Sequence, residues 1–206
     1  MTGSKEHWEQ VYAGKRPDEV SWYQARPGIS LELIALSGTP KEGNIIDVGG
    51  GASSLADYLL DAGFTGLTVL DISGKAIEYA RDRLGDRACL VYWIEADITK
   101  IRLDKPVDLW HDRAVFHFLT EKPDRDKYVD SLRKTLKPAG HLILASFAPD
   151  GPEKCSGLPV CRYDAALIKA ALGADFELIR EVPETHITPW DAGQNFRYFL
   201  FKYAPV

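Results

Sequence analysis

The stretch Asn44–Ser54, NIIDVGGGASS, joins a short apolar run to three consecutive glycines. Ile45, Ile46 and Val48 are branched apolar residues typical of a buried strand, and the glycines end that strand. Apolar residues then recur at helical spacing, which predicts a helix over 52–62. The glycines allow a sharp turn and a close approach of a ligand to the backbone, and the helix start offers free N–H groups. This stretch therefore predicts a strand, turn and helix that bind a nucleotide-like ligand.

An acidic residue farther along the chain supports this prediction. The β-rich run Leu67–Leu70 ends at Asp71, twenty residues after Gly51. At this distance an acidic residue receives the ribose hydroxyls in dinucleotide-binding folds. An NAD site, however, has a third glycine where this chain has Ser54, and Asp47 ahead of the glycines would repel a pyrophosphate. An acidic residue at that place suits a positively charged ligand, for example one with an amino group and a sulfonium.

These two motifs, Asp47–Gly51 (DVGGG) and Leu70–Asp71, resemble the cofactor motifs of class I S-adenosylmethionine (SAM)-dependent methyltransferases. The resemblance implies an α/β, Rossmann-like fold. Its doubly wound seven-stranded sheet has the order 3-2-1-4-5-7-6, with the last strand antiparallel and helices on both faces. It also implies S-adenosyl-L-methionine as cofactor and S-adenosyl-L-homocysteine as product. A nicotinamide nucleotide site and a glycine turn without any ligand are the alternatives.

Composition and charge restrict the class of protein. The chain has 206 residues, of which 45% are apolar and 27% charged, as expected for one soluble domain. Its net charge is −5 and it has no basic run, which argues against nucleic acid as a partner. The three cysteines favour a reducing compartment, and no segment suits a signal peptide or a membrane span. We therefore expect a cytoplasmic protein without a membrane partner, either a monomer or a weak dimer.

The same reasoning predicts one methyltransferase domain over residues 1–206. Residues 1–40 are expected to form an aromatic lid and a helix, and residues 41–206 the core. A loop over 149–162 is rich in proline and glycine and too long for a simple connection. It is therefore predicted to form a functional rim.

Four aromatic residues, Trp8, Tyr12, Trp22 and Tyr23, fall within sixteen positions near the start of the chain. They form either a permanent hydrophobic cover on the sheet edge or a wall over cofactor and substrate. Aromatic faces attract a cation such as a sulfonium, and the resemblance favours the second alternative. Because glycine and proline interrupt residues 4–26, we expect this lid to become ordered only when the cofactor is bound.

The resemblance also implies which residues contact the cofactor. Asp71 would receive the ribose hydroxyls. Asp97 would accept a hydrogen bond from the adenine amine while Ile98 packs on the ring, although Asp97 could instead cap a turn. The predicted cofactor-binding residues are Trp8, Tyr12, Trp22, Asp47, Gly49, Gly50, Gly51, Ser53, Asp71, Ile72, Ala96, Asp97, Ile98 and His111.

The segment Val107–Arg113 is predicted to be the fourth strand. Ligands of open parallel sheets lie where the strand order reverses, here between the first and fourth strands. Residues 108–116 (DLWHDRAVF) resemble the Trp-Asp-Arg-Gly-Ala-Leu stretch of thiopurine methyltransferases, with Ala114 in place of glycine. They resemble more loosely the Asp-Lys-Gly stretch of some protein lysine methyltransferases. For each histidine a core or surface role is the alternative. The predicted catalytic residues are Asp112, Arg113 and His117.

Cys155 and Cys161 lie six positions apart in the rim loop. Such thiols can hold a soft metal or a metalloid substrate, but zinc sites need a second, closely spaced pair that this sequence lacks. No metal site is therefore predicted.

The chemistry of methyl transfer leaves little trace in a sequence, because the enzyme mainly aligns the acceptor with the methyl group. The Asn/Asp-Pro-Pro-Tyr/Phe tetrapeptide of nitrogen-methylating enzymes is missing after the fourth strand, which argues against methylation of bases or glutamine. The sequence is thus interpreted as a SAM-dependent methyltransferase (EC 2.1.1.-). Its acceptor is predicted to be a small-molecule thiol, amine or carboxylate. A protein-lysine methyltransferase and a non-catalytic SAM-binding module are the alternatives.

Overall fold

Seven strands form one mixed sheet in the computed structural model, which describes residues 4–101, 103 and 105–205. The strands are β1 (Asn44–Val48), β2 (Gly66–Asp71), β3 (Val91–Glu95), β4 (Val107–Arg113), β5 (Leu136–Phe147), β6 (Phe176–Ile187) and β7 (Gly193–Tyr203). Their order is β3-β2-β1-β4-β5-β7-β6. Strands β1 to β5 are parallel, whereas β7 runs antiparallel to both β5 and β6. The predicted fold is confirmed, including the antiparallel last strand.

Six α-helices lie among the described residues. They are α1 (Lys5–Gly14), α2 (Gly28–Ser37), α3 (Leu55–Asp61), α4 (Gly74–Leu84), α5 (Lys122–Thr135) and α6 (Ala165–Leu172). The Ser73 hydroxyl accepts a hydrogen bond from the N–H of Ala76 and so caps α4. None of the described helices combines the length and apolar character that crossing a bilayer requires.

The alternation of side chains along the central strands divides the core into two layers. Ile46 and Val48 pack in the layer that contains α5 and α6, whereas Ile45 packs in the layer that contains α2 and α3. Successive side chains of a strand point to opposite faces of the sheet. Asp47 therefore points toward α2, and so does His111, its partner in register on β4.

Some element boundaries differ from those that the apolar pattern predicts. Helix α3 begins three residues late because residues 50–53 form a turn, in which the N–H of Ser53 donates to the carbonyl of Gly50 at 3.0 Å. The pattern predicts strands over 176–182 and 196–202, but β6 and β7 continue as far as Ile187 and Gly193. Apolar alternation ends where the hairpin leaves the core, whereas backbone pairing needs no apolar side chains.

The predicted rim loop is held against the rest of the domain. Lys154–Cys155 and Leu158–Pro159 pair as a short antiparallel ladder. The N–H of Cys161 donates to the carbonyl of His117 at 2.8 Å. These contacts place Cys155 beside the carboxyl ends of the central strands.

Candidate active site

Two adjoining cavities lie at the carboxyl ends of β1, β2 and β4, where the strand order reverses. The β2-side cavity is lined by Asp71, Ile72, Ala96 and Ile98, together with Trp8 and Phe118. The α2-side cavity is lined by Ser30, Asp47, Gly50, Ser53 and His111. Tyr12, Trp22, Gly49 and Arg113 line both cavities. Together the two cavities form one cleft. The predicted cofactor-binding residues all line this cleft, except Gly51 and Asp97.

Gly49 and Gly50 leave room for neighbouring side chains that pack against the turn. Gly49 has a φ of +73°, and a Cβ there would lie 2.1 Å from Cγ2 of Val115. A Cβ on Gly50 would lie 2.2 Å from Oδ2 of Asp47. The glycines therefore let Val115 and the Asp47 carboxylate approach the turn.

Gly51 supports the second carboxylate rather than lining the cleft. Its N–H donates to Oδ2 of Asp71 at 3.0 Å, and the N–H of Ser73 donates to Oδ1 at 2.9 Å. Asp71 is 6% exposed, and its burial raises the pKa of the carboxyl to about 6 although these backbone N–H groups lower it. Each oxygen keeps a further acceptor site for hydroxyl groups in the cleft.

Only one of the two carboxylate oxygens of Asp47 has a hydrogen-bond partner among the described residues. Its Oδ1 lies 2.7 Å from Nδ1 of His111, whereas Oδ2 is buried and has no hydrogen-bond partner among the described residues. A buried carboxylate oxygen without a partner is costly. This oxygen is therefore suited to a cationic donor in the α2-side cavity.

Aromatic rings from the N-terminal segment cover the cleft. Trp8 packs edge-to-face against Trp22 and Phe118, with ring centroids 5.7 and 5.1 Å apart. The indole N–H of Trp22 donates to the hydroxyl of Tyr12 at 3.2 Å. The rings contact one another as a roof, so Trp8, Tyr12 and Trp22 come together as the sequence predicts.

Arg113 ties this roof to the core. Its Nη1 donates to the carbonyl of Trp22 at 2.9 Å, and its Nε donates to the hydroxyl of Tyr198 at 2.7 Å. Nη2 lies 3.8 Å from Oε2 of Glu184. His186 on β6 holds the same segment through the carbonyl of Ser21 at 2.7 Å. Arg113 thus reaches the cleft, but its guanidinium group is largely engaged in contacts with Trp22, Tyr198 and Glu184.

Asp112, predicted as catalytic, does not line the cleft. Strand alternation points it to the opposite face from His111, toward α5. The hydroxyl of Tyr128 donates to its Oδ2 at 2.6 Å, and the N–H groups of Val115 and Phe116 donate to its carboxylate at 2.9 and 3.1 Å. Asp112 therefore supports the turn after β4, and its carboxylate does not lie in the cleft where the sequence predicts it.

His117 also lies outside the cleft that was predicted to contain it. Its ring is buried against Phe118 and Phe147, with centroids 4.5 and 5.0 Å apart. Burial, together with the nearby charge of Arg113, lowers the pKa of His117 to about 3, so the ring is neutral near pH 7. His117 is thus a core residue, but it is not the core histidine with a satisfied ring that the sequence left as an alternative, because neither ring nitrogen has a hydrogen-bond partner among the described residues.

Asp97 lies at the mouth of the cleft. Its Oδ1 accepts hydrogen bonds from the N–H and the hydroxyl of Thr99 at 2.9 and 2.7 Å, which is the turn cap considered as an alternative. It lines a shallow hollow together with Ile72 and Ala96. Because Ile72 and Ala96 also line the β2-side cavity, Asp97 remains next to the predicted adenine position.

The cysteines do not form a metal site in the described part of the chain. Cys155 lines the β2-side cavity, and burial raises the pKa of its thiol to about 12. Cys161 instead contacts Arg125, whose Nη1 lies 3.9 Å from its Sγ. Within residues 4–101, 103 and 105–205, no group of three or more His, Cys, Asp or Glu residues is arranged to hold a metal ion.

The sequence did not indicate Ser30, Phe118 or Cys155 as cleft residues. Phe118 lies on a 3₁₀ turn and Cys155 lies in the rim loop. Neither residue belongs to a sequence motif. Ser30 had one sequence signal, because it is polar and lies one helical turn before Leu33 and Ile34 on the buried face of α2.

Known proteins resemble this chain in both sequence and fold. Residues 45–140 match the model of a family described as a methyltransferase domain. A ubiquinone/menaquinone biosynthesis C-methyltransferase, UbiE, from Francisella tularensis subsp. tularensis is 28% identical over 122 residues, which are 57% of this chain and 48% of that protein. The mouse eEF1A lysine and N-terminal methyltransferase is 28% identical over 102 residues, 48% of this chain and 14% of that protein. The chain thus spans about half the length of the first relative and less of the second.

A solved structure extends the likeness to nearly the whole chain. It is the 1,6-didemethyltoxoflavin-N1-methyltransferase of Burkholderia thailandensis, solved with bound 1,6-didemethyltoxoflavin and S-adenosylhomocysteine. The TM-score is 0.73 at 19% identity, with 98% of this chain and 87% of that chain covered. The family match over 45–140 and this shared fold confirm the resemblance, predicted from the glycine motif and Asp71, to the class I SAM-dependent methyltransferases.

Proposed function

We propose that this chain binds SAM in the cleft and transfers its methyl group to a small-molecule acceptor. The observation that carries the proposal is Oδ2 of Asp47, a buried carboxylate oxygen that has no hydrogen-bond partner among the described residues and belongs to a side chain lining the α2-side cavity. It suits the ammonium group of the cofactor's amino-acid portion. Asp71 would bind the ribose hydroxyls, and Ile72 and Ile98 would pack against the adenine. SAM supplies a methyl group on a sulfonium, which leaves as a neutral thioether when an acceptor attacks.

The roof of Trp8, Tyr12 and Trp22 supports the same ligand. Aromatic faces stabilise a cation better than aliphatic side chains do, and by excluding water they strengthen electrostatic interactions in the cleft. Tyr12 and Trp22 line both cavities together with Gly49, and Trp8 lines the β2-side cavity. This chain would thus bind, orient and shield the reacting groups.

Apart from Asp47, Asp71 and His111, which the proposal assigns to cofactor binding, the described lining of the cleft offers no evident general base. Burial raises the pKa values of the Tyr12 hydroxyl and the Cys155 thiol, so both stay protonated near pH 7. Asp112 and His117 lie outside the cleft. An acceptor that needs no enzyme base fits this lining best, which favours a carboxylate or a thiol over a charged amine.

Two alternatives remain for the function. The sequence match to the mouse lysine methyltransferase favours a protein-lysine acceptor. Against it, a lysine ammonium would need a base to remove its proton. A SAM-binding module without turnover would share the cofactor cleft but transfer no methyl group.

The experiment that tests the proposal has two stages. Calorimetric titration should detect binding of S-adenosylhomocysteine and not of NAD, and NAD binding alone would refute the proposal. Purified protein with SAM and a panel of small thiols, carboxylates, amines and aromatic carbon acceptors should then produce S-adenosylhomocysteine. Lysine peptides in the same panel test the protein-lysine alternative. Binding without turnover on every acceptor would support the non-catalytic module.

Affinity for S-adenosylhomocysteine is expected to fall as the pH drops below about 6. Burial raises the pKa of Asp71 to about 6, so a proton competes with the ribose hydroxyls below that pH. The loss should approach about tenfold per pH unit well below the pKa. Titrations between pH 5 and 8 measure this slope. Asp71→Asn should remove it, and an unchanged slope in that variant would assign the titration to another group.

The lid makes a prediction about dynamics. Hydrogen exchange and proteolysis of residues 4–26 should slow when S-adenosylhomocysteine is added, because ligand contacts stabilise the closed roof. Ordering this segment costs about 1–2 kcal/mol of backbone entropy per residue, which the ring contacts and the Arg113–Trp22 hydrogen bond help to offset. Equal protection with and without ligand would instead mean that Trp8 and Trp22 belong permanently to the core.

A further inference from the structure

Ser30 is a polar residue on the otherwise apolar inner face of α2. It is fully buried, and Leu33 and Ile34, one turn later on the same face, pack into the core. These two side chains fix the rotation of α2 and so the direction of Ser30. A buried hydroxyl requires a hydrogen-bond partner, and that partner comes from the sheet.

The partner is His111, which links Ser30 to Asp47. Oγ of Ser30 lies 2.8 Å from Nε2 of His111, and Nδ1 of His111 lies 2.7 Å from Oδ1 of Asp47. An ionised carboxylate only accepts hydrogen bonds, so Nδ1 carries the proton and donates to Asp47. On the other side of the ring, the bond between Nε2 and the Ser30 hydroxyl holds the imidazole in one orientation.

This chain of hydrogen bonds decides which oxygen of Asp47 is available. Oδ1 is engaged by His111, while Oδ2 lies against Gly50 without a partner among the described residues. With the imidazole held from both sides, the carboxylate cannot rotate without losing its bond to Nδ1. Ser30, Asp47 and His111 all line the α2-side cavity, so the free oxygen belongs to a side chain at the wall of that cavity.

We infer that Ser30 and His111 are positioning residues, which orient Asp47 toward the amino-acid portion of the cofactor. The inference rests on the proposed function, and it adds α2 to the elements that determine cofactor binding. Ser30 and His111 would act on the cofactor through Asp47. Their effect should therefore be confined to ligands that carry the amino-acid portion.

A pair of ligands tests this directly. S-adenosylhomocysteine contains the amino-acid portion, whereas 5′-methylthioadenosine has the same nucleoside without it. Ser30→Ala should lower the affinity for S-adenosylhomocysteine by about two- to tenfold, the effect of one neutral hydrogen bond. The affinity for 5′-methylthioadenosine should not change. His111→Leu should cause a larger selective loss, and His111→Asn, whose amide can still donate to Asp47, should recover part of it.

Two controls separate positioning from a general effect on the fold. Ser37→Ala removes another hydroxyl from α2, one that bonds the carbonyl of Ile34 at 2.7 Å and lies outside the cleft. It should change neither affinity. In an Asp47→Asn background, Ser30→Ala should have no further effect on S-adenosylhomocysteine, because residues that act through one group are not additive.

The outcomes distinguish this inference from the proposed function. If the unmodified protein binds neither nucleoside, the proposed function fails. If it binds both and Ser30→Ala weakens both equally, Ser30 is only a packing residue and the inference is overturned. An unchanged affinity for both ligands in Ser30→Ala and His111→Leu would overturn it as well.

Discussion

Replacing Asp71 with asparagine is expected to lower the affinity for S-adenosylhomocysteine by about one to two powers of ten while changing stability little. A hydrogen bond to a charged group contributes about 1.5–3 kcal/mol, and the carboxylate is placed to accept from the ribose hydroxyls. Asparagine keeps the shape of the side chain but removes the charge and one acceptor oxygen. Calorimetric titration at pH 7.5 measures the change in affinity.

Two effects on the stability of this variant oppose each other. Loss of one acceptor leaves the N–H of Gly51 or Ser73 without its partner, which costs about 1–3 kcal/mol. Burial of the charged carboxylate raises its pKa from 3.8 to about 6. The ionised form is therefore disfavoured in the folded state at neutral pH, by an amount of the same order. Removing the charge should offset the lost hydrogen bond, so the free energy of unfolding should change by less than about 2 kcal/mol.

A matched control removes the same charge elsewhere. Asp61 is exposed at the end of α3 and pairs with Arg87. Asp61→Asn should leave both ligand affinity and stability nearly unchanged, since exposed ion pairs contribute about 0–1 kcal/mol. If Asp71→Asn binds S-adenosylhomocysteine as the unmodified protein does, Asp71 does not receive the ribose.

Gly49→Ala is expected to lower the free energy of unfolding by roughly 2–5 kcal/mol, the sum of two costs. At a φ of +73° an alanine is strained by about 1–2 kcal/mol. Its Cβ would also lie 2.1 Å from Cγ2 of Val115, and overpacking of this kind costs about 1–3 kcal/mol. Because Gly49 lines both cavities, ligand affinity should fall too. Urea unfolding followed by circular dichroism measures the stability.

Gly63→Ala separates the two costs. Gly63 has a φ of +84°, but no atom lies within 4 Å of the position that a Cβ would take. This variant should lose only the backbone part, about 1–2 kcal/mol, and should bind S-adenosylhomocysteine normally. Equal losses in the two variants would mean that Val115 moves aside without cost and that the turn tolerates a side chain.

The order of helices and strands was predictable because it depends on local patterns. Apolar alternation, helical spacing and the glycines of the first turn identified β1, α4 and β4 close to their observed limits. Two carboxylates at the ends of parallel strands meet at one edge of the sheet. This is why Asp47 and Asp71 could be assigned to one cleft from the sequence.

Only the tertiary structure decided which face of each strand meets the cleft. Alternation places His111 and Arg113 opposite Asp112 along β4, but the sequence does not say which face carries α2 and the lid. Asp112 was expected in the cleft, but it lies on the other face for that reason. His117 was also expected in the cleft but is buried in the core. The 3₁₀ turn that contains it is too short to show an apolar periodicity in the sequence.

The remaining site contacts join residues that are far apart along the chain. Ser30 meets His111 across 81 positions, and Arg113 meets Trp22 across 91. A hydroxyl, an imidazole or a carbonyl bonds whatever partner the packing brings within about 3 Å, and no local pattern specifies that partner. The sequence by itself therefore determined the fold and the position of the cleft. Packing of α2 and the lid on the sheet determined which side chains shape it.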